Sequence, residues 1–141
     1  MARRVTGLGE RLIGRRKLMA GVATGIELTQ GSIIWANLDP TLGKEYSGHR
    51  PALVISSADY LSLITDLVVV LPITSVNWGW SNHLKVRPPS LLNNDSWIVT
   101  EQPRTISRHR ITRVGGIVDA KTFETVEQWL DIFLKTPRRH S

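Results

Sequence analysis

The sequence predicts a mainly β domain: a small, strongly curved antiparallel barrel followed by one C-terminal helix. Five or more short apolar runs, each bounded by Gly, Pro, Asn or Asp, succeed one another between residues 32 and 114. Short alternating or β-branched runs punctuated this way are strands, and a series of them suits a small barrel. The last run has instead the three-and-four spacing of a helix. A chain of 141 residues, 41% hydrophobic and 21% charged, has the length and balance of one globular core.

Ser32–Leu38 (SIIWANL) reads as the first strand, closed by the turn pair Asp39 and Pro40, and Pro51–Ser56 as the second. A short connection holding Asp59 and Tyr60 leads to Leu67–Ile73 (LVVVLPI), the most β-branched run and so the central strand. Pro72 has no N–H to donate, so it should mark an edge, a bulge or the strand's end, with Thr74 where pairing stops. His83–Val86, Trp97–Thr100 and Arg110–Val114 give three more strands, the last before Gly115 and Gly116. Asp119 is a good N-cap, and Phe123, Val126, Leu130 and Phe133 recur at helical spacing, so residues 119–134 form an amphipathic helix.

The chain divides into a basic extension at 1–30, read either as a mobile segment with a short helix around Leu8–Met19 or as sequence upstream of the true start codon, a domain at 31–135 and a basic tail at 136–141. Residues 1–30 hold six Lys or Arg against two Glu, and Lys135, Arg138 and Arg139 add three charges at the other end. Of the net +6, the body between them carries −1. The basicity therefore sits in the tails, with one exception. In RTISRHRITR, residues 104–113, four arginines flank His109 closely enough to clamp phosphates or to form a solvated loop.

The absence of cysteine excludes a disulfide framework, a thiol nucleophile and a cysteine zinc site, and suits the cytoplasm. No run approaches the roughly 20 apolar residues of a membrane span. The four histidines lie far apart without paired spacing, so neither a metal nor another cofactor is expected.

The segment GKEYSGHRPALVIS, residues 43–56, sets a polar loop against a buried strand, with Arg50 at the junction. Pro51 holds Arg50 away from the helical region and so restricts its side chain. Residues 31–56, then VVVLPITS at 68–75, then EQPRTIS at 101–107, resemble in order and separation the MazF/PemK/Kid family of toxin ribonucleases. The resemblance covers residues 31–114, and extends to the helix by position and character. It implies an SH3-like barrel of the CcdB/PemK type, a homodimer, and metal-independent endonucleolytic cleavage of single-stranded RNA. It also implies a cognate acidic antitoxin encoded nearby, with operator DNA contacted only through the antitoxin complex.

Carried over residue by residue, the resemblance makes Arg50 and Thr74 catalytic. If the ribose 2′-hydroxyl attacks the adjacent phosphorus, charge grows on the nonbridging oxygens, which a guanidinium fork and a hydroxyl can meet. Arginine is a poor base, so the proton acceptor must be another group. Glu101, the acid before Gln-Pro-Arg-Thr, is one candidate, the alternative being a salt bridge to Arg50 or Arg104. His49, adjacent to Arg50, is the other, the alternative being a solvated histidine. Lys44 stands where Kid-like members have histidine, Val99 where they have arginine, and Ser107 where R-T-I is followed by aspartate. These departures favour a site centred on Arg50 and Thr74.

Lys44, Gln102, Arg104 and Arg108 are candidates for phosphate and base contacts. Gln102 and Arg104 have a second reading as strand-end residues. Trp78, beside Gly79 and Trp80, offers a face on which an unpaired base could stack, whereas Trp80 is expected to pack. Two other functions remain open at this level: a CcdB-like nonenzymatic toxin acting on DNA gyrase, and a catalytically silent antitoxin-binding module.

Overall fold

Successive side chains of a strand point to opposite faces, and that alternation decides where the core lies. In the computed structural model, which describes residues 27–38, 48–87, 92 and 94–138, β1 is Ser32–Leu38, β2 is Gly48–Val54 and β3 is Leu67–Thr74. Ile34, Ala36 and Leu38 of β1, Ala52 and Val54 of β2, and Val68 and Val70 of β3 share one buried cluster. Ile33, Leu53, Leu71 and Ile73, from the opposite pleat, share a second. Burial on both faces explains why these strands read as nearly unbroken apolar runs.

The remaining strands are β4 (His83–Lys85), β5 (Trp97–Val99), β6 (Arg104–Ser107) and β7 (Ile111–Ile117). Every ladder is antiparallel, in the order β4-β5-β3-β2-β1-β7, with β6 also on β3. A 3-10 turn at Arg108–Arg110 joins β6 to β7, so the ring β1-β2-β3-β6-β7 is completed by covalent chain rather than by a ladder. The SH3-like barrel is thus a curved sheet that hydrogen bonds do not close.

Among the described residues, two helices accompany the sheet, α1 (Ala58–Leu63) and α2 (Ala120–Leu134). Asp119 caps α2 by accepting the Thr122 N–H at 3.2 Å. Val126 is fully buried in the second cluster, with Phe123 and Leu130 packed against it. Phe133, expected on that stripe, is instead largely exposed and stacks on Trp129, ring centres 5.7 Å apart. With Ile132 and Leu134 it leaves the last turn of α2 apolar and open.

Several boundaries differ from the sequence reading. β2 begins at Gly48, because β1 continues to pair with it: Asn37 faces His49 and Ala36 faces Arg50. The junction arginine therefore belongs to a strand. Pro72 is internal to β3, and it falls between the last β6 pair, Val70 with Arg104, and the first β5 pair, Ile73 with Ile98. Where β3 changes partners, a missing N–H removes no ladder bond on that flank. α1 and β6 were not anticipated. The expected helix at Leu8–Met19, the turn at Asp39 and Pro40, and Lys44 lie outside the described residues. Among the described residues, no helix is long and apolar enough to cross a membrane.

Candidate active site

The start of β2, the end of β3 and the segment before β5 meet around a cleft of about 320 Å³. β1 and β2 bring Trp35, His49 and Arg50 to it, β3 brings Ile73 with Ser75 just beyond, and Asn94 and Ser96 come from the third side. Both ends of the Arg50 backbone are fixed, by pairing with Ala36 and by the ring of Pro51. Its guanidinium is half-buried at the wall of the cleft.

His49 is held on two sides. Its ring stacks on Trp35 with centroids 5.5 Å apart at 30°, and Nε2 lies 2.7 Å from the Thr112 hydroxyl. That hydroxyl donates its one proton to the Trp35 carbonyl at 3.3 Å. It can then only accept from the imidazole, which makes Nε2 a donor and, in the neutral ring, leaves the lone pair on Nδ1. Trp35 and Thr112 were not foreseen as site residues, since nothing in the spacing links positions 35, 49 and 112. Their pairing is a product of β1 lying between β2 and β7.

Thr74 lies beside the cleft rather than on its wall. It is 2% exposed, and its Oγ1 accepts the Val76 N–H at 3.1 Å, which fixes the first residues of the following loop. Its own proton has no acceptor among the described residues. Ser75, the next residue, is a hydroxyl on the wall, as is Ser96, and strand periodicity from Ile73 could have suggested it.

Glu101, the candidate base, is engaged by neither Arg50 nor Arg104, the salt bridge that was its alternative reading, but by the segment that opens β4. Its Oε1 accepts from His83 Nε2 at 2.9 Å and from Asn82 Nδ2 at 2.8 Å, and Oε2 lies 3.1 Å from the same imidazole nitrogen. Asn82 is itself locked to Thr100, whose hydroxyl donates to the Asn82 carbonyl at 2.8 Å. His83 is buried, and its Nδ1 has no partner.

Arg108 departs furthest from the sequence reading. It is 7% exposed and turns inward: Nε donates to the Leu67 carbonyl at 3.1 Å, and Nη2 to the carbonyls of Ile64, at 2.8 Å, and Leu61. Burial lowers its pKa from the ordinary arginine value, while Asp66 and Tyr60 pull it back up. Its fork ties the C-terminal end of α1 to β3 and is not presented to a ligand. Arg104 opens β6 and Gln102 stands two residues before it; both are half-buried, and neither lines the cleft. Trp78 is 57% exposed, and Trp80, expected to pack, is 51% exposed. Among the described residues, no three His, Asp or Glu side chains gather as metal ligands.

Residues 29–134 match the family described as PemK-like, MazF-like toxin of type II toxin-antitoxin system. The chain belongs to that family. Over 105 residues it is 40% identical to the endoribonuclease toxin MazF of Escherichia coli K12, covering 74% of this chain and 91% of the relative. It is 30% identical over 108 residues to the endoribonuclease EndoA of Bacillus subtilis, covering 74% and 92%. The crystal structure of MazF from Deinococcus radiodurans superposes with a TM-score of 0.67 at 25% identity, over 77% of this chain and 97% of that one. A MazE-MazF complex from the same organism gives 0.61 at 28%, over 76% and 95%. The PemK/MazF fold thus accounts for the curved sheet and the terminal helix, and His49 and Arg50 stand together at its cleft.

Proposed function

We propose that this chain is the RNA-cleaving toxin of a type II toxin-antitoxin system, and that Arg50 and His49 divide the chemistry of the cleft between them. The observation that carries this is the fixed His49 tautomer beside a backbone-locked Arg50. His49 Nδ1 accepts the proton of the ribose 2′-hydroxyl as its oxygen bonds to phosphorus. Arg50 meets the negative charge that develops on the nonbridging oxygens, and Thr74 offers its uncommitted proton to the same phosphoryl group. The bond to the 5′-oxygen breaks, the protonated His49 returns its proton to that oxygen, and the products are a 2′,3′-cyclic phosphate and a free 5′-hydroxyl. Every one of these tasks falls to a side chain, so the reaction needs no metal.

The CcdB-like and catalytically silent readings are not favoured, since the relatives just named are endoribonucleases. The partner is an acidic antitoxin, as the solved MazE-MazF complexes suggest, and its carboxylates suit Arg50 and Arg104. The apolar last turn of α2 and exposed Ile117 offer surface for pairing two copies. Cytoplasmic RNA is the substrate this reading implies.

The test is incubation of the purified chain with a long single-stranded RNA in EDTA. Cleavage should persist, and an otherwise identical RNA with 2′-deoxyribose at the cut site should resist, since its nucleophile is missing. If EDTA abolishes cleavage and magnesium restores it, or if the deoxy substrate is cut equally, the mechanism fails.

A further inference from the structure

The loop from Ser75 to Asn82 spends its apolar surface on water. Val76, Trp78 and Trp80 are each about half exposed, at 49%, 57% and 51%. An isolated exposed side chain needs no explanation, but two tryptophans and a valine on one short loop form a patch. The loop is also internally fixed. Gly79 takes a left-handed φ of 75°, and its N–H is accepted by the Asn77 side chain at 2.9 Å. The His83 N–H donates to the Trp80 carbonyl at 3.1 Å, closing the turn.

Beneath Trp80 lies the His83 and Glu101 pair. The His83 ring packs against the indole with centroids 4.9 Å apart at 39°. Nε2 must be the protonated nitrogen, because both nearby acceptors are carboxylate oxygens. Nδ1 is then a buried ring nitrogen without a hydrogen-bond partner among the described residues. A pair kept for stability alone would be expected to satisfy both nitrogens. What this one achieves is to fix the imidazole against Trp80, held by Glu101, which Asn82 in turn holds.

We propose that Trp80 is a base-stacking platform for single-stranded RNA, and that His83 and Glu101 are positioning residues that hold its ring ready. The proposal rests on the ribonuclease reading and adds a substrate-binding residue to it. One face of the indole is backed by His83, and the exposed remainder is open to an unpaired base. Every base has a π-face, and indole is a large, rigid partner for it. Ordinarily a loop tryptophan must lose rotamer freedom when a base stacks on it; here the turn and the imidazole contact have already removed that freedom. Ser75 lines the cleft, and the chain from Ser75 to Trp80 can reach at most about 17 Å, so the platform serves nucleotides flanking the cut. Trp78, on the other side of Gly79, lies on the same loop and extends the aromatic surface.

Two readouts test this. RNA carrying 2′-deoxyribose at the cut site should quench the tryptophan emission of the wild-type chain, with much of the quenching lost in Trp80→Ala. Trp80→Ala should raise KM roughly tenfold with kcat little changed, and Trp80→Phe should recover most of the loss. Glu101→Ala should raise KM likewise, whereas Glu101→Gln, which keeps an acceptor for His83 Nε2–H, should restore it. Unchanged quenching and KM in Trp80→Ala overturn the platform. A Glu101→Gln variant that binds normally but has lost kcat overturns the positioning role and makes Glu101 the base. Because quenching is read on uncut RNA, failure of the wild-type chain to cleave any RNA would defeat the ribonuclease reading separately.

Discussion

Replacing Arg108 by alanine should unfold the protein more easily and leave RNA recognition by the folded protein intact. The guanidinium supplies three hydrogen bonds, to the carbonyls of Leu61, Ile64 and Leu67. Leu61 is buried, so its carbonyl, stripped of its partner, bears the desolvation penalty of an unsatisfied group, about 1–3 kcal/mol. Ile64 and Leu67 are exposed residues, so water can replace the arginine there, and each loss is nearer 0.5 kcal/mol, taken as roughly the low end for a hydrogen bond. The sum is about 3 kcal/mol, a large share of the roughly 5–15 kcal/mol that stabilises a typical domain. At about 4 °C per kcal/mol for a domain of this size, Tm should fall by roughly 12 °C. Arg108→Lys should recover little, because an ammonium point charge cannot span carbonyls from both α1 and β3. Thermal melts followed by circular dichroism measure the first quantity, and titration with uncleavable RNA well below the mutant's Tm measures the second. A Tm within about 2 °C of wild type, together with a clear loss of RNA affinity, would refute the inward-facing role and return Arg108 to the phosphate contacts.

Arg50→Ala should lower kcat on the order of 10²-fold or more while binding of uncleavable RNA changes little, because the charge it meets exists only in the transition state; equal turnover sinks the assignment. Thr74→Val keeps the shape and removes the hydroxyl, so it should slow cleavage without loss of fold, and unchanged turnover would reduce Thr74 to a brace for the Val76 N–H. Hydrogen bonding to Thr122 lowers the pKa of the fully exposed Asp119 carboxyl below its ordinary value. A depressed carboxylate contributes stability above its unfolded pKa of about 3.9 and loses it as pH falls through the folded value. The Tm advantage of wild type over Asp119→Ala should therefore be present at pH 6 and shrink below about pH 4. A constant difference across that range would mean the cap acts independently of its charge.

The elements that the sequence exposes are those whose identity is decided by burial on two faces. β1, β3 and α2 were each readable because apolar spacing registers directly what a strand or helix must hide. The start of β2 was not, since Gly48, His49 and Arg50 carry no alternation; they are strand because β1 offers them partners. α1 spans only six residues, and its one local signal was Ser57, whose hydroxyl accepts the Tyr60 N–H at 3.1 Å. β6 was obscured by its own motif: RTIS is polar enough to read as chemistry, and only pairing with Leu67–Val70 makes it a strand. The candidate site divides in the same way. Arg50 and His49 were adjacent in sequence and remain adjacent at the cleft, whereas the grip of Thr112 and Trp35 on His49 depends on strand order.

The arginine-rich run at 104–113 shows why charge counted along a chain is a poor guide to charge presented at a surface. Arg104 opens β6 opposite Val70, Arg108 is turned inward by a 3-10 step, Arg110 reaches the Asn37 carbonyl at 3.4 Å, and Arg113 is exposed on β7 opposite Trp35. Four charges that looked like one phosphate clamp are thus distributed over a strand start, a buried tie, a cross-strand contact and a sheet edge. Arg108, turned inward, cannot share one cationic surface with Arg50 and Arg104. On the proposed function, RNA that reaches Arg50 is held by local contacts of different kinds, charge at the cleft and stacking at the tryptophan loop. An antitoxin that silences the cleft faces the same surface, so carboxylates alone would hold it poorly. Its inhibitory segment needs apolar residues at the spacing of Trp78 and Trp80 from the cleft as much as it needs acids for Arg50.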